Sequence, residues 1–173
     1  YPGDDGVGAF GIACYYMPFF FMIGNAIAQS AQPIISFNYG IEDWKKIRET
    51  RTLLLKYCIV SGVLVSTLFI FLPKELVVLF VDAHSKAGEI AIEGFPILAS
   101  GILFFILNVA IIGYYQSIEL IKRATWYVLL RGFIILIPCF ILLPMFLGSI
   151  GMWIAMPVAE FFTLIIIGAT LRR

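Results

Sequence analysis

The chain has 173 residues, of which 61% are hydrophobic and only 13% charged, with a net charge of +1 and a mean hydropathy of +0.99. Soluble domains carry about 25% charged residues, so there is too little charge here to coat a globule in water, and sixteen Phe suit a surface facing lipid. The near-neutral charge leaves no basic footprint for nucleic acid, one His (His84) builds no metal site, and Cys14, Cys58 and Cys139, each alone in an apolar run, read as small buried hydrophobes.

The chain opens at Tyr1 with no initiator Met and no charged segment ahead of an apolar core, so no signal peptide is expected and the sequence reads as a piece of something longer. A hydrocarbon core about 30 Å thick needs roughly 20 apolar residues per helix. Five stretches reach that length, at 7–37, 53–72, 87–115, 126–146 and 150–171. None alternates with the period of two that a membrane β-barrel requires. The expected fold is an all-α integral membrane protein with five transmembrane helices, treated as one unit over residues 1–173.

The first span carries Asn25, Gln29, Gln32 and Ser36, spaced by four, three and four. That spacing puts all four on one helical face. Amides in hydrocarbon lose hydrogen bonds worth several kcal/mol, so the stripe is expected to face either a neighbouring helix or a wet cavity. Segment 38–46 then stops the helix with Gly40 and charge. Segment 73–88 holds a short amphipathic piece expected to lie at the membrane interface.

Glu93 lies near the outer end of the third span and is expected to be solvated; Ser100, Asn108 and Tyr115 fall within about a quarter-turn of its face, which allows a second, less sharp polar seam, and Asn108 joins the candidate cavity lining. The fourth span contains Arg131 about a turn and a half from its start, where a long side chain is expected to snorkel to the headgroups. Near the middle of the fifth lies Glu160. An acid at that depth costs about 2.5–3.5 kcal/mol on insertion scales. It reads either as a structural hydrogen-bonding group or, if buried without a partner, as a candidate proton-responsive group. Prolines inside the spans (Pro18, Pro33, Pro96, Pro138, Pro144, Pro157) fit helices that bend, and Gly8, Gly11, Gly24, Gly94 and Gly101 fit close helix packing.

Loop charge sets orientation through the positive-inside bias. Lys45, Lys46, Arg48, Arg51, Lys56, Lys122, Arg123, Arg172 and Arg173 lie on one side, against Lys74 and Lys86 on the other. The C-terminus is therefore expected in the cytoplasm and Tyr1 outside. No catalytic constellation, phosphate loop or cofactor motif is legible, and neither an enzyme nor a bound metal is expected. Carriers are usually built from paired repeats, yet no internal repeat appears within the chain.

One pattern is specific. Residues 3–40, GDDGVGAFGIACYYMPFFFMIGNAIAQSAQPIISFNYG, resemble the signature that opens the C-terminal lobe of MATE (multidrug and toxic compound extrusion) transporters, with its core kept as Gln29, Gln32 and Pro33 and its exit as Phe37, Asn38, Tyr39 and Gly40. The resemblance continues through FLPKELVVLFVD, YYQSIELIKRA, LLRGFIILIPCFILLP and GSIGMWIAMPVAE, which place Arg131, Pro138, Pro144, Trp153, Pro157 and Glu160 at motif positions. Ala26 and Ser30 replace family glycines, and the middle of the third span lacks the acidic residue that some members use for sodium.

The resemblance implies helices eight to twelve of a twelve-helix fold, with helices one to seven and the N-terminal lobe as missing partner. It further implies a multi-pass protein of the bacterial inner (plasma) membrane, surrounded by lipid, that exchanges small organic cationic or aromatic compounds for H+ or Na+ with no organic cofactor. A piece of such a transporter is expected to be inactive alone. Two alternatives stand beside it: a flippase for lipid-linked oligosaccharides of the same superfamily, and a non-transporting structural subunit.

Overall fold

The computed structural model describes residues 4–171. Among them the order is α1 (Asp4–Gly40), α2 (Trp44–Phe71), α3 (Pro73–Val78), α4 (Lys86–Ser117), α5 (Ile121–Leu129), a π-helical segment (Leu130–Ile135), α6 (Leu136–Leu147) and α7 (Ser149–Leu171), with no strand. Arg172 and Arg173, two of the cations used for orientation, lie outside the described residues, as does Tyr1.

Five units are long and apolar enough to cross a membrane: α1, α2, α4, the continuous rod 121–147, and α7. The helices outrun the apolar windows because their ends carry cap and charge chemistry that hydropathy does not see. Asp4 and Asp5 sit in the first turn of α1, where negative charge meets the positive end of the helix dipole. At the start of α2 the Asp43 carboxylate accepts the Lys46 backbone N–H at 3.1 Å, and Ser85 Oγ accepts the Gly88 N–H ahead of α4 at 3.1 Å. Both satisfy an amide that the first helical turn leaves orphaned. α2 thus begins at Trp44, ahead of the apolar stretch 53–72, and Arg48 and Arg51 are helical.

α4 is the centre of the bundle. In its most apolar window 72% of residues are buried, against 6% in the rod 121–147. It packs against α1, α2 and α7, and small residues let the backbones approach. A Cβ on Gly24 of α1 would come within 2.9 Å of the Ile106 carbonyl oxygen, and one on Gly101 within 2.5 Å of Pro157 Cα on α7. With no hydrophobic drive between helices in lipid, such close packing is a main source of association. Gly11, by contrast, faces open space. Its expected packing role is not supported.

At the end of the bundle where α3 lies, aromatic rings fill the core. Phe69 meets Tyr16, Phe20 and Phe95 at centroid distances of 5.0, 5.2 and 5.1 Å. Each such pair contributes about 0.5–1.5 kcal/mol beyond burial. α3 is tied down by the Tyr16 hydroxyl donating to the Leu76 carbonyl at 2.8 Å. The cysteines need correction: Cys58 is buried, but Cys14 is exposed and Cys139 half-buried. They line faces of α1 and α6 that no described helix covers fully.

Candidate functional site: an open amide stripe and a buried ion pair

The structure divides the candidate residues into two groups. In α1 the buried residues include Gly24, Ala28, Ala31 and Ile35, each of which directly precedes a residue of the polar stripe. One step along an α-helix turns the side chain by about 100°, so Asn25, Gln29, Gln32 and Ser36 form a ridge beside the face that packs on α4. Asn25 is half-buried, and Gln29, Gln32 and Ser36 are exposed. The only side-chain hydrogen bond to another helix that the stripe makes among the described residues runs from Ser36 Oγ to the Ser117 carbonyl, at 3.0 Å. Packing by the two Gln amides against these helices is therefore not what holds them.

Asn108 does not join that stripe. It is 0% exposed, and its Nδ2 donates to Glu160 Oε2 at 2.7 Å and to the Glu160 backbone carbonyl at 2.9 Å. Glu160 in turn accepts Arg131 Nε at 2.8 Å on Oε1 and 3.0 Å on Oε2. Of the two readings of Glu160, the structure gives the carboxyl partners on neighbouring helices, and the expectation of a snorkelling arginine is corrected. Arg131 reaches inward across the bundle, and its guanidinium lies 4.1 Å from the centroid of Phe105 on α4. Two opposite charges in one low-dielectric interior attract strongly and both lose water, so the pair forms rather than either charge seeking the interface.

The backbone places the arginine. Leu130–Ile135 is π-helical, a widened turn that often marks functional sites within longer helices, and Arg131 lies inside it. The pair opens onto a cleft of about 340 Å³ whose lining includes Phe10, Cys14 and Met17 of α1. Glu160 is 3% exposed at its side chain and Arg131 18%, so the cation faces the cleft more than the anion does. Asn108 Oδ1 is buried without a hydrogen-bond partner, which leaves one unused acceptor beside the carboxylate.

The expected second polar seam on α4 splits. Glu93 and Ser100 are exposed, the latter donating to its own Ile97 carbonyl at 2.7 Å, whereas Asn108 and Tyr115 are covered. Tyr115 belongs to a hydroxyl cluster that was not expected. Thr170 Oγ1 meets the Tyr115 hydroxyl at 2.8 Å and accepts from the Tyr127 hydroxyl at 2.7 Å. Among the described residues no group of three or more His, Cys, Asp or Glu is placed to hold a metal.

Sequence reasoning missed the pairing of Arg131 with Glu160, although a signal was present. One acid and one base inside neighbouring spans are the combination that membranes tolerate as a pair.

Comparison with known proteins fits this architecture. No curated protein matches the chain. Among solved structures it is similar to a MATE multidrug transporter, DinF-BH, determined in complex with R6G, with 29% identity and a TM-score of 0.82 over 95% of this chain and 36% of that one. A MATE protein in the straight conformation shares 22% identity with a TM-score of 0.78, over 98% and 38% of the two chains. An outward-facing multidrug resistance MATE transporter of the MOP superfamily shares 23%, with a TM-score of 0.72 over 96% and 39%. At those identities the last two establish the fold alone. The chain spans little more than a third of the length of the transporters it matches. The family model described as MatE matches residues 1–142, and the chain belongs to the MATE family as a multi-pass membrane protein.

Proposed function

We propose that the chain forms helices eight to twelve of a secondary antiporter of the bacterial inner membrane. That parent transporter exports organic cationic or aromatic compounds in exchange for H+ or Na+, and acts as a carrier rather than as an enzyme. The observation that carries this reading is the uncovered amide ridge of α1. Gln29 and Gln32 are exposed and make no side-chain hydrogen bond among the described residues, yet amides cannot be left to acyl chains. In the parent they face a polar passage shared with helices one to seven. Asn25 and Ser36 extend that lining at either end.

Within this reading Glu160 is the candidate proton-responsive group. It is held by Arg131 and Asn108, and the pair borders the cleft beside α1. The nine-to-two distribution of loop and terminal cations puts the C-terminus in the cytoplasm. Alone, the chain holds one wall of the passage and transports nothing.

The test is drug efflux by the full-length parent reconstituted in liposomes. Gln29→Ala with Gln32→Ala should cut ion-driven transport by about tenfold, the loss expected when two amide contacts worth roughly 0.7 kcal/mol each disappear. Unchanged efflux would remove the passage lining. Ion-driven dye movement by liposomes holding only this chain would refute its dependence on the missing helices.

A further inference from the structure

The cleft beside the buried ion pair offers a binding chemistry opposite to that needed for an organic cation. Its volume of about 340 Å³ lies at the lower end of the range for small-molecule sites, about 300–1,000 Å³. Four spans supply its walls. Phe10 and Met17 of α1, Phe105 of α4, Phe140 of α6 and Met156 of α7 contribute rings and thioethers. Phe10 ties these walls together, since its ring meets Phe140 at 5.6 Å and Trp153 at 5.5 Å. Flat apolar surfaces and adaptable thioethers favour an aromatic occupant. The amide ridge begins at Asn25, about 12 Å of helix beyond Met17, so the two features occupy different stretches of α1.

The ion pair sets the sign of the charge that an occupant meets. The Glu160 side chain is 3% exposed and that of Arg131 18%, so the pair presents mainly its cation. Glu160 is already served by Arg131 Nε and Asn108 Nδ2. Arg131 has five N–H donors and uses Nε on the carboxylate, while its two Nη groups make no hydrogen bond among the described residues. Phe105, with its centroid 4.1 Å from the guanidinium, holds that group in place. An ammonium entering the cleft would meet a like charge. A carboxylate would meet a planar fork whose paired N–H groups match its two oxygens.

We infer that this cleft binds a small aromatic carboxylate, with its rings against Phe10, Phe140 and Met156 and its carboxylate on the Arg131 Nη groups. The site is distinct from the amide ridge and does not depend on which compounds pass along that ridge. Gly132 keeps the space open. It lines the cleft next to Arg131, and a Cβ there would meet nothing within 4 Å. A larger side chain at this position would fill the cleft while leaving both members of the ion pair present. Cys14, exposed and part of the same lining, serves as a native reporter thiol.

The test uses the full-length parent purified in detergent, with 2-naphthoate as the probe. N-ethylmaleimide should modify Cys14, followed by peptide mass spectrometry, and saturating 2-naphthoate should slow that modification at least about threefold. The ammonium analogue 2-naphthylmethylammonium should not. In equilibrium dialysis Gly132→Leu should weaken 2-naphthoate binding at least about tenfold, with melting within about 2 °C of wild type. Arg131→Lys keeps the charge and loses the fork, and should weaken binding about fivefold. If Arg131→Lys does not fold, Gly132→Leu carries the comparison. Absence of protection by 2-naphthoate, equal protection by the ammonium analogue, or unchanged binding in Gly132→Leu would overturn the site. So would a Cys14 that stays unmodified in the ligand-free parent, since helices one to seven would then occupy the cleft. These readouts are of binding, so their failure leaves the efflux reading standing.

Discussion

Removing Arg131 from the buried pair should cost more than removing both partners. At an effective dielectric near 20, unit charges 2.8 Å apart attract by about 6 kcal/mol. Desolvation offsets much of that, but truncating one partner strands the other without its counter-charge, at about 3–5 kcal/mol. The two substitutions are not equivalent. Arg131→Met leaves a carboxylate that is 3% exposed, whereas Glu160→Gln leaves a guanidinium that is 18% exposed and already lies against Phe105. Arg131→Met should therefore destabilise the parent by about 3–5 kcal/mol, and Glu160→Gln by about 1–2 kcal/mol, since an amide oxygen still accepts from Asn108. Combining them should recover about 2 kcal/mol relative to Arg131→Met alone. Denaturant unfolding of the parent in micelles, followed by tryptophan fluorescence, reads all four corners of the cycle. An Arg131→Met variant within about 1 kcal/mol of wild type, or a double variant less stable than Arg131→Met, would refute the pairing as the reason these charges lie in the membrane.

Three shorter tests probe the packing and the passage. Gly101→Leu sets a side chain against the Pro157 backbone and should cost about 1–3 kcal/mol, while Gly11→Leu, with nothing within 4 Å, should be nearly neutral in melting experiments. A membrane-impermeant maleimide should label Gln29→Cys and Gln32→Cys in the parent but spare Ala28→Cys and the native Cys58, which are 5% and 0% exposed; labelling of Cys58 without denaturant would contradict the helix packing. Thr170→Val deprives two tyrosine hydroxyls of their partner and should cost about 1–2 kcal/mol, with Tyr127→Phe costing less, by the same unfolding assay.

Much of the fold could be read from the chain because membrane crossing is a local requirement. Length and hydropathy decide it segment by segment, and the five spans follow. α2 extends ahead of the apolar stretch at 53–72 because Asp43 caps it at Trp44, and a hydropathy window cannot register one hydrogen bond. The amide ridge was equally legible, since a spacing of four, three and four fixes a common face whatever the neighbours are. The fate of Arg131 was not. Its depth in one helix suggested escape to the headgroups, and only the π-helical turn with the position of α7 shows the shorter route to Glu160. Asn108 likewise shares a helical face with Ser100, but the packing of α7 separates them, burying one and leaving the other exposed.

The amino-acid order alone determined that this chain lives in a bilayer, how often it crosses, and which residues share a side of each helix. Those properties depend on transfer energies and on the helical repeat, which act within a segment. The tertiary structure decided which polar groups meet, since a carboxylate in α7, an amide in α4 and a guanidinium before α6 become one unit only when three helices pack together. Attraction between charges depends on distance through space, and distance across a bundle is not written in any single segment.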